Sequence, residues 1–97
     1  TGDIEFEFIP SPGHSPDSIC FYSQKEKVLI CGDVIFAGNI GRADLPGGNA
    51  DELKCSIEKL SQLEISHLLP GHIDIVATAE KVKDNFEFIK RGVFRWL

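Results

Sequence analysis

Three residues with metal-binding side chains each follow a glycine in this sequence. His14 lies within PGHSP (12–16), Asp33 lies within LICGDV (29–34), and His72 ends PGH (70–72). A glycine lets the backbone approach a neighbouring segment closely or adopt a positive φ, so that the next side chain can point towards a shared centre. Imidazole and carboxylate groups bind divalent ions such as zinc, iron and manganese. The repeated pattern therefore indicates one metal site built from distant parts of the chain.

Each of these residues also has a structural interpretation when it is taken alone. A single histidine is more often a hydrogen-bonded structural residue, and an aspartate after a strand is more often a turn or cap residue. Only the repetition of glycine followed by a ligand-type residue favours the functional interpretation. The remaining histidine, His67 in SHLL, has no such setting. We interpret it as a core or edge histidine.

The apolar pattern predicts that the candidate ligands lie at the ends of strands. Four segments have the composition of strands: IEFEFI (4–9), SICFYS (18–23), KVLICGD (27–33) and ISHLLPG (65–71). Side chains at the ends of neighbouring strands converge on one edge of a sheet, where α/β proteins often have their active sites. The two histidines and the aspartate are therefore expected to share that edge.

Two helices are predicted in the second half of the chain. Asn49 is expected to cap the first helix, because Glu52 follows three residues later, and the second helix is expected to begin near Thr78 and to run towards Trp96. Their apolar stripes are Leu53, Ile57 and Leu60 in the first helix, and Val82, Phe86, Ile89 and Val93 in the second. The segment from 33 to 48 has no periodicity and is predicted to be a long loop. The fold class is α/β, a mixed sheet with helices on one face in the order β-β-β-α-β-α.

The sheet is expected to need a second covering layer. VLIC (28–31) and HLL (67–69) are nearly continuous apolar runs, which are typical of strands buried on both faces. The two predicted helices cover only one face. We therefore expect another segment or a second copy of the chain to pack against the other face.

Composition excludes several classes of partner. The 97 residues fit one domain, with a formal net charge of −5 that opposes binding to nucleic acid. No apolar run approaches the length of about 18 residues that a membrane span requires. The three cysteines form no CxxC motif and leave one thiol unpaired in any intramolecular disulfide scheme, which suggests a reducing compartment, so a cytoplasmic location is expected. Cys20 and Cys31 lie in apolar runs and are expected to be buried thiols.

Four motifs together resemble the C-terminal half of the metallo-β-lactamase superfamily. PGHSPDSICFY, VLICGDVIF, GNIGRADLPGG and LLPGH occur in the order and at roughly the spacing of that half. In particular they are similar to the short hydroxyacylglutathione hydrolase (glyoxalase II)-like proteins. The resemblance implies that the chain, residues 1–97, is a single partial domain, one half of an αβ/βα sandwich with the active site at the junction of the halves.

The resemblance also implies a metal-ligand set. His14 corresponds to the third histidine on the first of two metal ions, Asp33 to the carboxylate that bridges both, and His72 to the last histidine on the second. The other ligands of the family come from an HxHxDH motif, which does not occur in these 97 residues. Zinc is the expected ion in the intact enzyme, with iron or manganese as alternatives. Binding by this chain alone is expected to be weak or absent.

The activity that the resemblance implies is hydrolysis of thioesters of the hydroxyacylglutathione type by a metal-bridged hydroxide, with this chain inactive by itself. Within the superfamily a lactonase, a β-lactamase or a persulfide dioxygenase remains an alternative. A different class is a non-catalytic half-domain that pairs with itself or with a partner. In GRADLPGG, Arg42 and the backbone amides of Gly47 and Gly48 are candidate substrate-binding groups. Alternatively, Arg42 and Asp44 form an ion pair that fixes the loop.

Overall fold

The computed structural model describes residues 5–44, 46–71 and 75–96. In chain order the strands are β1 (Glu7–Pro10), β2 (Ile19–Ser23), β3 (Val28–Gly32), β4 (Ile35–Phe36), β5 (Asn39–Ile40), β6 (His67–Pro70) and β7 (Val76–Ala77). The helices are α1 (Ala50–Leu60), between β5 and β6, and α2 (Ala79–Arg91), which is followed by a 3₁₀ helix at Val93–Trp96.

The main sheet is mixed, as the sequence predicts. Its strand order is β1-β2-β3-β6-β7, and every neighbouring pair is antiparallel except β3 and β6, which are parallel. Helix α1 lies in the connection between these two parallel strands, as a crossover connection requires. The ends of β3 and β6 therefore lie side by side at one edge of the sheet.

Both helices begin and pack as their sequences predict. The Asn49 side chain accepts a hydrogen bond from the Glu52 backbone N–H at 3.0 Å, and Thr78 caps α2 in the same way. The helices bury their apolar stripes against one face of the sheet. The core residues are Leu53, Ile57, Leu60, Val82, Phe86 and Ile89 from the helices and Ile9, Cys20, Tyr22, Leu29, Cys31 and Leu68 from the strands. No helix in the described ranges has the length and apolar character to cross a membrane.

Four details differ from the predicted elements. The segment from 33 to 48 contains the short β4–β5 hairpin. Strand β7, which was not predicted, pairs antiparallel with β6. Helix α2 ends at Arg91 because Gly92 forms its C-cap, so Val93 belongs to the separate 3₁₀ helix. In the first strand, sheet pairing begins at Glu7. Strands of two residues have no periodicity that a sequence pattern could reveal.

The sheet face opposite the helices carries a row of apolar side chains. Phe8 pairs with Phe21, Phe21 with Ile30, and Ile30 with Leu69, so the row crosses four strands in register. Phe8 and Phe21 form an edge-to-face aromatic pair at 5.1 Å, yet Phe8 remains 68% exposed. We name this row, with the adjacent exposed Ile19, the apolar sheet face.

Two of the three cysteines are buried free thiols, as the sequence predicts. Cys20 and Cys31 lie in the core, whereas Cys55 is exposed on α1. The Cys31 thiol donates to the carbonyl oxygen of Ile35 at 3.3 Å. Burial, with a smaller contribution from Cys20, raises the pKa of Cys31 from 9.0 to about 12.

The raised pKa of Cys31 predicts a loss of stability at alkaline pH. Folding raises this pKa, so the stabilisation is complete below about pH 9 and is lost as the pH rises towards about 12. We expect the free energy of unfolding to fall by about 1 kcal/mol more in the wild type than in Cys31→Ala between pH 8 and pH 10. Urea denaturation at both pH values measures this difference. Equal losses in both proteins would contradict it.

Candidate metal centre

The PGHSP loop, which carries His14, is fixed by helix α1. A Cβ atom at Gly13, where φ is 135°, would collide with the backbone of Leu53, so only glycine fits. The Asn49 backbone N–H donates to the Gly13 carbonyl oxygen at 2.7 Å, and the Ser56 hydroxyl donates to the Pro12 carbonyl oxygen at 2.7 Å. The loop is therefore held against the first two turns of α1.

His14 has a defined ring orientation. Its Nδ1 lies 2.7 Å from the backbone carbonyl oxygen of Arg42. A carbonyl oxygen only accepts hydrogen bonds, so Nδ1 carries a hydrogen, and in the neutral ring Nε2 keeps its lone pair. Histidine ligands of metal ions commonly use this arrangement, in which a hydrogen bond on one ring nitrogen fixes the tautomer that binds through the other.

The backbone around Asp33 lies close to His14. A Cβ atom at Gly41 would overlap the Asp33 carbonyl oxygen and lie 3.0 Å from His14 Nδ1. The Gly41 N–H donates to the Val34 carbonyl oxygen at 3.0 Å, which holds this contact in place. The absence of a side chain at Gly41 therefore allows the histidine loop and the turn after β3 to approach each other.

The end of β6 approaches Asp33 from the other side. A Cβ atom at Gly71 would lie 3.3 Å from Asp33 Oδ1, and the Gly71 N–H donates to the Gly32 carbonyl oxygen at 2.8 Å. Asp33 thus lies close both to Gly41, which packs against His14, and to Gly71, the last described residue before the second predicted histidine. His72 itself lies outside the described residues.

The neighbourhood of His14 and Asp33 suits a divalent metal ion. The His14 imidazole and the Asp33 carboxylate are donor types that match zinc and iron, and Gly41 and Gly71 allow the segments around them to lie close together. Within 5–44, 46–71 and 75–96, no three His, Cys, Asp or Glu side chains form a group that could hold a metal ion. His14 and Asp33 are the two members of the predicted ligand set that lie in the described ranges.

The predicted substrate-binding loop is closed by an ion pair. Arg42 Nε and NH2 donate to the two carboxylate oxygens of Asp44 at 3.0 Å each, and this bidentate contact lowers the pKa of the Asp44 carboxyl group. Both side chains are exposed, at 66% and 69%. Gly48 packs so closely against the Ala43 carbonyl group that a Cβ atom there would collide with it.

A cleft of about 460 Å³ adjoins this loop. Its walls are residues 39–44 together with Ala50 from α1 and Val93 from the 3₁₀ helix. Arg42 and Asp44 lie on its lining, and the Arg42 backbone is the segment that holds His14. Of the predicted substrate-binding groups, Arg42 lies at this cleft, whereas Gly47 lies against Pro16 and Gly48 against Ala43.

Sequence reasoning missed the contributions of Gly41 and of the Arg42 backbone. The sequence analysis considered the Arg42 side chain, whereas the structure uses its carbonyl oxygen to orient His14. A backbone acceptor leaves no signature in residue type. The only sequence signal is the glycine directly before Arg42, in a segment that contains several glycines.

Comparison with known proteins identifies the family. Residues 1–90 match the family model of the metallo-β-lactamase superfamily. The chain is 47% identical over 73 residues to the probable metallo-hydrolase YqgX of Bacillus subtilis. The aligned region covers 73% of this chain and 35% of YqgX. It is 40% identical over 76 residues to the hydroxyacylglutathione hydrolase GloC of Haemophilus influenzae. That alignment covers 78% of this chain and 32% of GloC.

A solved structure shows the same fold. The crystal structure of TTHA1623 in a di-iron-bound form superposes with a TM-score of 0.72 at 31% sequence identity, over 89% of this chain and 40% of that one. The chain thus spans about a third of the length of the curated relatives that it matches. On the family match, the sequence identities and the shared fold, this chain belongs to the metallo-β-lactamase superfamily.

Proposed function

We propose that the chain forms part of a dinuclear-metal hydrolase that cleaves thioesters of the hydroxyacylglutathione type. The hydrogen bond from His14 Nδ1 to the Arg42 carbonyl oxygen supports the proposal most directly, because it fixes the ring so that Nε2 of the neutral imidazole can act as a ligand. The similarity to GloC supports the choice of substrate class. In this proposal His14 would hold one ion, Asp33 would help to hold both, and His72 would hold the second.

The proposed chemistry assigns simple roles to the residues of this chain. Bound divalent ions would lower the pKa of water, so that hydroxide is available near neutral pH, and would polarise the thioester carbonyl. His14 and Asp33 would hold the ions at a fixed position, and Arg42 would contact the substrate from the adjoining cleft. The leaving thiol has a pKa of about 8.5, so it departs as a thiolate without a general acid.

The apolar sheet face supports the proposal that the fold needs a second layer. Phe8 and Ile19 remain exposed beside Phe21 and Ile30, and a row of this kind is typical of a sheet that packs against another element. In the hydrolase proposal, that element also brings the remaining metal ligands. The rival proposal, a non-catalytic half-domain that associates with itself, uses the same face.

Replacement of His14 tests the hydrolase proposal. In the full-length protein, we expect His14→Ala to lower kcat/KM for a hydroxyacylglutathione thioester by about 100-fold or more and to reduce the bound metal, because loss of even an outer partner of a metal ligand costs about 10–100-fold. His67→Ala is the matched control, since His67 is exposed and its ring contacts Ser66. Thioester hydrolysis and metal analysis of both variants provide the measurements.

Two results would reject this proposal. One is equal thioester hydrolysis by His14→Ala and His67→Ala. The other is a full-length protein that hydrolyses a lactone or a β-lactam much faster than the thioester, which would move the assignment to another member of the superfamily.

A pair of variants can distinguish substrate binding by Arg42 from fixation of the loop by the Arg42–Asp44 ion pair. The ion pair is solvent-exposed, and such pairs contribute little to stability. We therefore expect Arg42→Ala to raise KM for the thioester several-fold with little change in Tm, whereas Asp44→Ala leaves KM nearly unchanged. Steady-state kinetics and thermal unfolding measure both effects. A large, equal fall in Tm in both variants with unchanged KM would show that the pair only fixes the loop.

The apolar sheet face predicts that the 97-residue chain associates with itself. Association would remove Phe8 and its neighbours from water, and burial of a phenylalanine side chain stabilises by about 1.5–3 kcal/mol. We expect a dimer or larger species by gel filtration with light scattering, and a shift to monomer in Phe8→Ser. Phe88→Ser, which changes an exposed phenylalanine on α2, is the control. A monomeric wild-type chain would contradict the prediction.

A further inference from the structure

The side chain of Asn85, on helix α2, holds both sides of the turn between β4 and β5. Its Oδ1 accepts a hydrogen bond from the Gly38 backbone N–H at 2.7 Å, and its Nδ2 donates to the Phe36 carbonyl oxygen at 3.0 Å. Because one partner can only donate and the other can only accept, the amide orientation is fixed. The neighbouring Asp84 is exposed.

The hairpin depends on such support. It has two residue pairs, Ile35 with Ile40 and Phe36 with Asn39, and strands this short are marginal by themselves. Of the two turn residues, Gly38 has a positive φ of 76° and Ala37 does not. Turns of that kind splay the strands, whereas the turns that favour hairpins have a positive φ at the first residue. The two hydrogen bonds of Asn85 therefore hold together a turn whose own geometry tends to splay the strands.

The hairpin leads directly to the group that orients His14. Strand β5 ends at Ile40, Gly41 makes the close approach to His14 and Asp33, and the Arg42 carbonyl oxygen accepts the hydrogen bond from His14 Nδ1 at 2.7 Å. The Gly41 N–H also bonds to Val34, which is the next contact beyond the Ile35–Ile40 pair. A hairpin that opens would move Gly41 and Arg42 together.

We propose that Asn85 is a positioning residue for the metal-binding edge: it holds the β4–β5 hairpin so that the Arg42 carbonyl group keeps His14 in the Nδ1–H tautomer. The inference rests on the proposed function in so far as Nε2 of His14 is taken to bind the metal. The hydrogen bonds of the Asn85 side chain to Gly38 and Phe36 reach neither the candidate ligands nor the cleft. Its influence passes through the hairpin.

Two variants and one control test this role in the full-length protein. Asn85→Ala removes both hydrogen bonds, Asn85→Asp keeps the acceptor for Gly38 but loses the donor to Phe36, and Asp84→Ala changes the adjacent exposed residue of the same helix. The first measurement is the His14 tautomer, read from the ¹⁵N shifts of its ring nitrogens in metal-free protein. The second is zinc affinity, measured by competition with a chelating dye.

We expect the wild type and Asp84→Ala to show the Nδ1–H tautomer of His14, and Asn85→Ala to show a mixture of tautomers. Zinc affinity should fall by about tenfold in Asn85→Ala, the lower end of the range for changes around a metal ligand, and by at least as much in Asn85→Asp, because a carboxylate oxygen would face the Phe36 carbonyl oxygen. A purely structural role would lower Tm and leave the tautomer of the folded protein unchanged.

The two proposals fail in different ways. If the wild type binds no zinc, iron or manganese, the proposed function is wrong, but the tautomer measurement in metal-free protein still decides the role of Asn85. If the wild type binds zinc and Asn85→Ala shows the same tautomer and the same affinity, the role of Asn85 is overturned and the proposed function stands.

Discussion

The hydrogen bond from His14 to the Arg42 carbonyl oxygen joins two loops that are 28 residues apart in the chain. It requires two independent supports. Helix α1 holds the histidine loop through Asn49 and Ser56, and the β4–β5 hairpin brings the carbonyl group to the same place. Because each loop is fixed by a different element, the ring orientation depends on the packing of the whole domain rather than on either loop alone.

Close backbone approach is the constraint that makes this junction possible. At Gly13 a side chain would collide with α1, and at Gly41 it would collide with the turn after β3. At Gly71 a Cβ atom would meet Asp33 and Gly32 at 3.3 Å, a tight contact that would require these neighbours to shift slightly. The glycines before the candidate ligands therefore serve two purposes: Gly13 and Gly32 adopt positive φ, and Gly71 allows contact between segments.

Local chemistry in the sequence was enough to predict the main elements. The Asn49–Glu52 cap and the stripe of Leu53, Ile57 and Leu60 describe α1 almost completely, because helix signals act over a few residues. The β4–β5 hairpin was missed because its support comes from Asn85, which is 49 residues away from Phe36. Likewise, the glycine pattern indicated His14 and Asp33, but no residue type could reveal that a backbone carbonyl group orients the histidine.

The strands that form the apolar sheet face also lead to the sheet edge that carries the candidate ligands His14 and Asp33. Leu69, at one end of the apolar row, lies two residues before Gly71, which approaches Asp33. A segment that covers the row is thereby brought next to the edge where His14 and Asp33 lie. If that segment also supplies ligands, burial of the apolar row and completion of the metal cage become one cooperative event, since metal binding to a site formed on folding adds its free energy to folding. In that case one segment would both cover the exposed Phe8 and add ligands to His14 and Asp33.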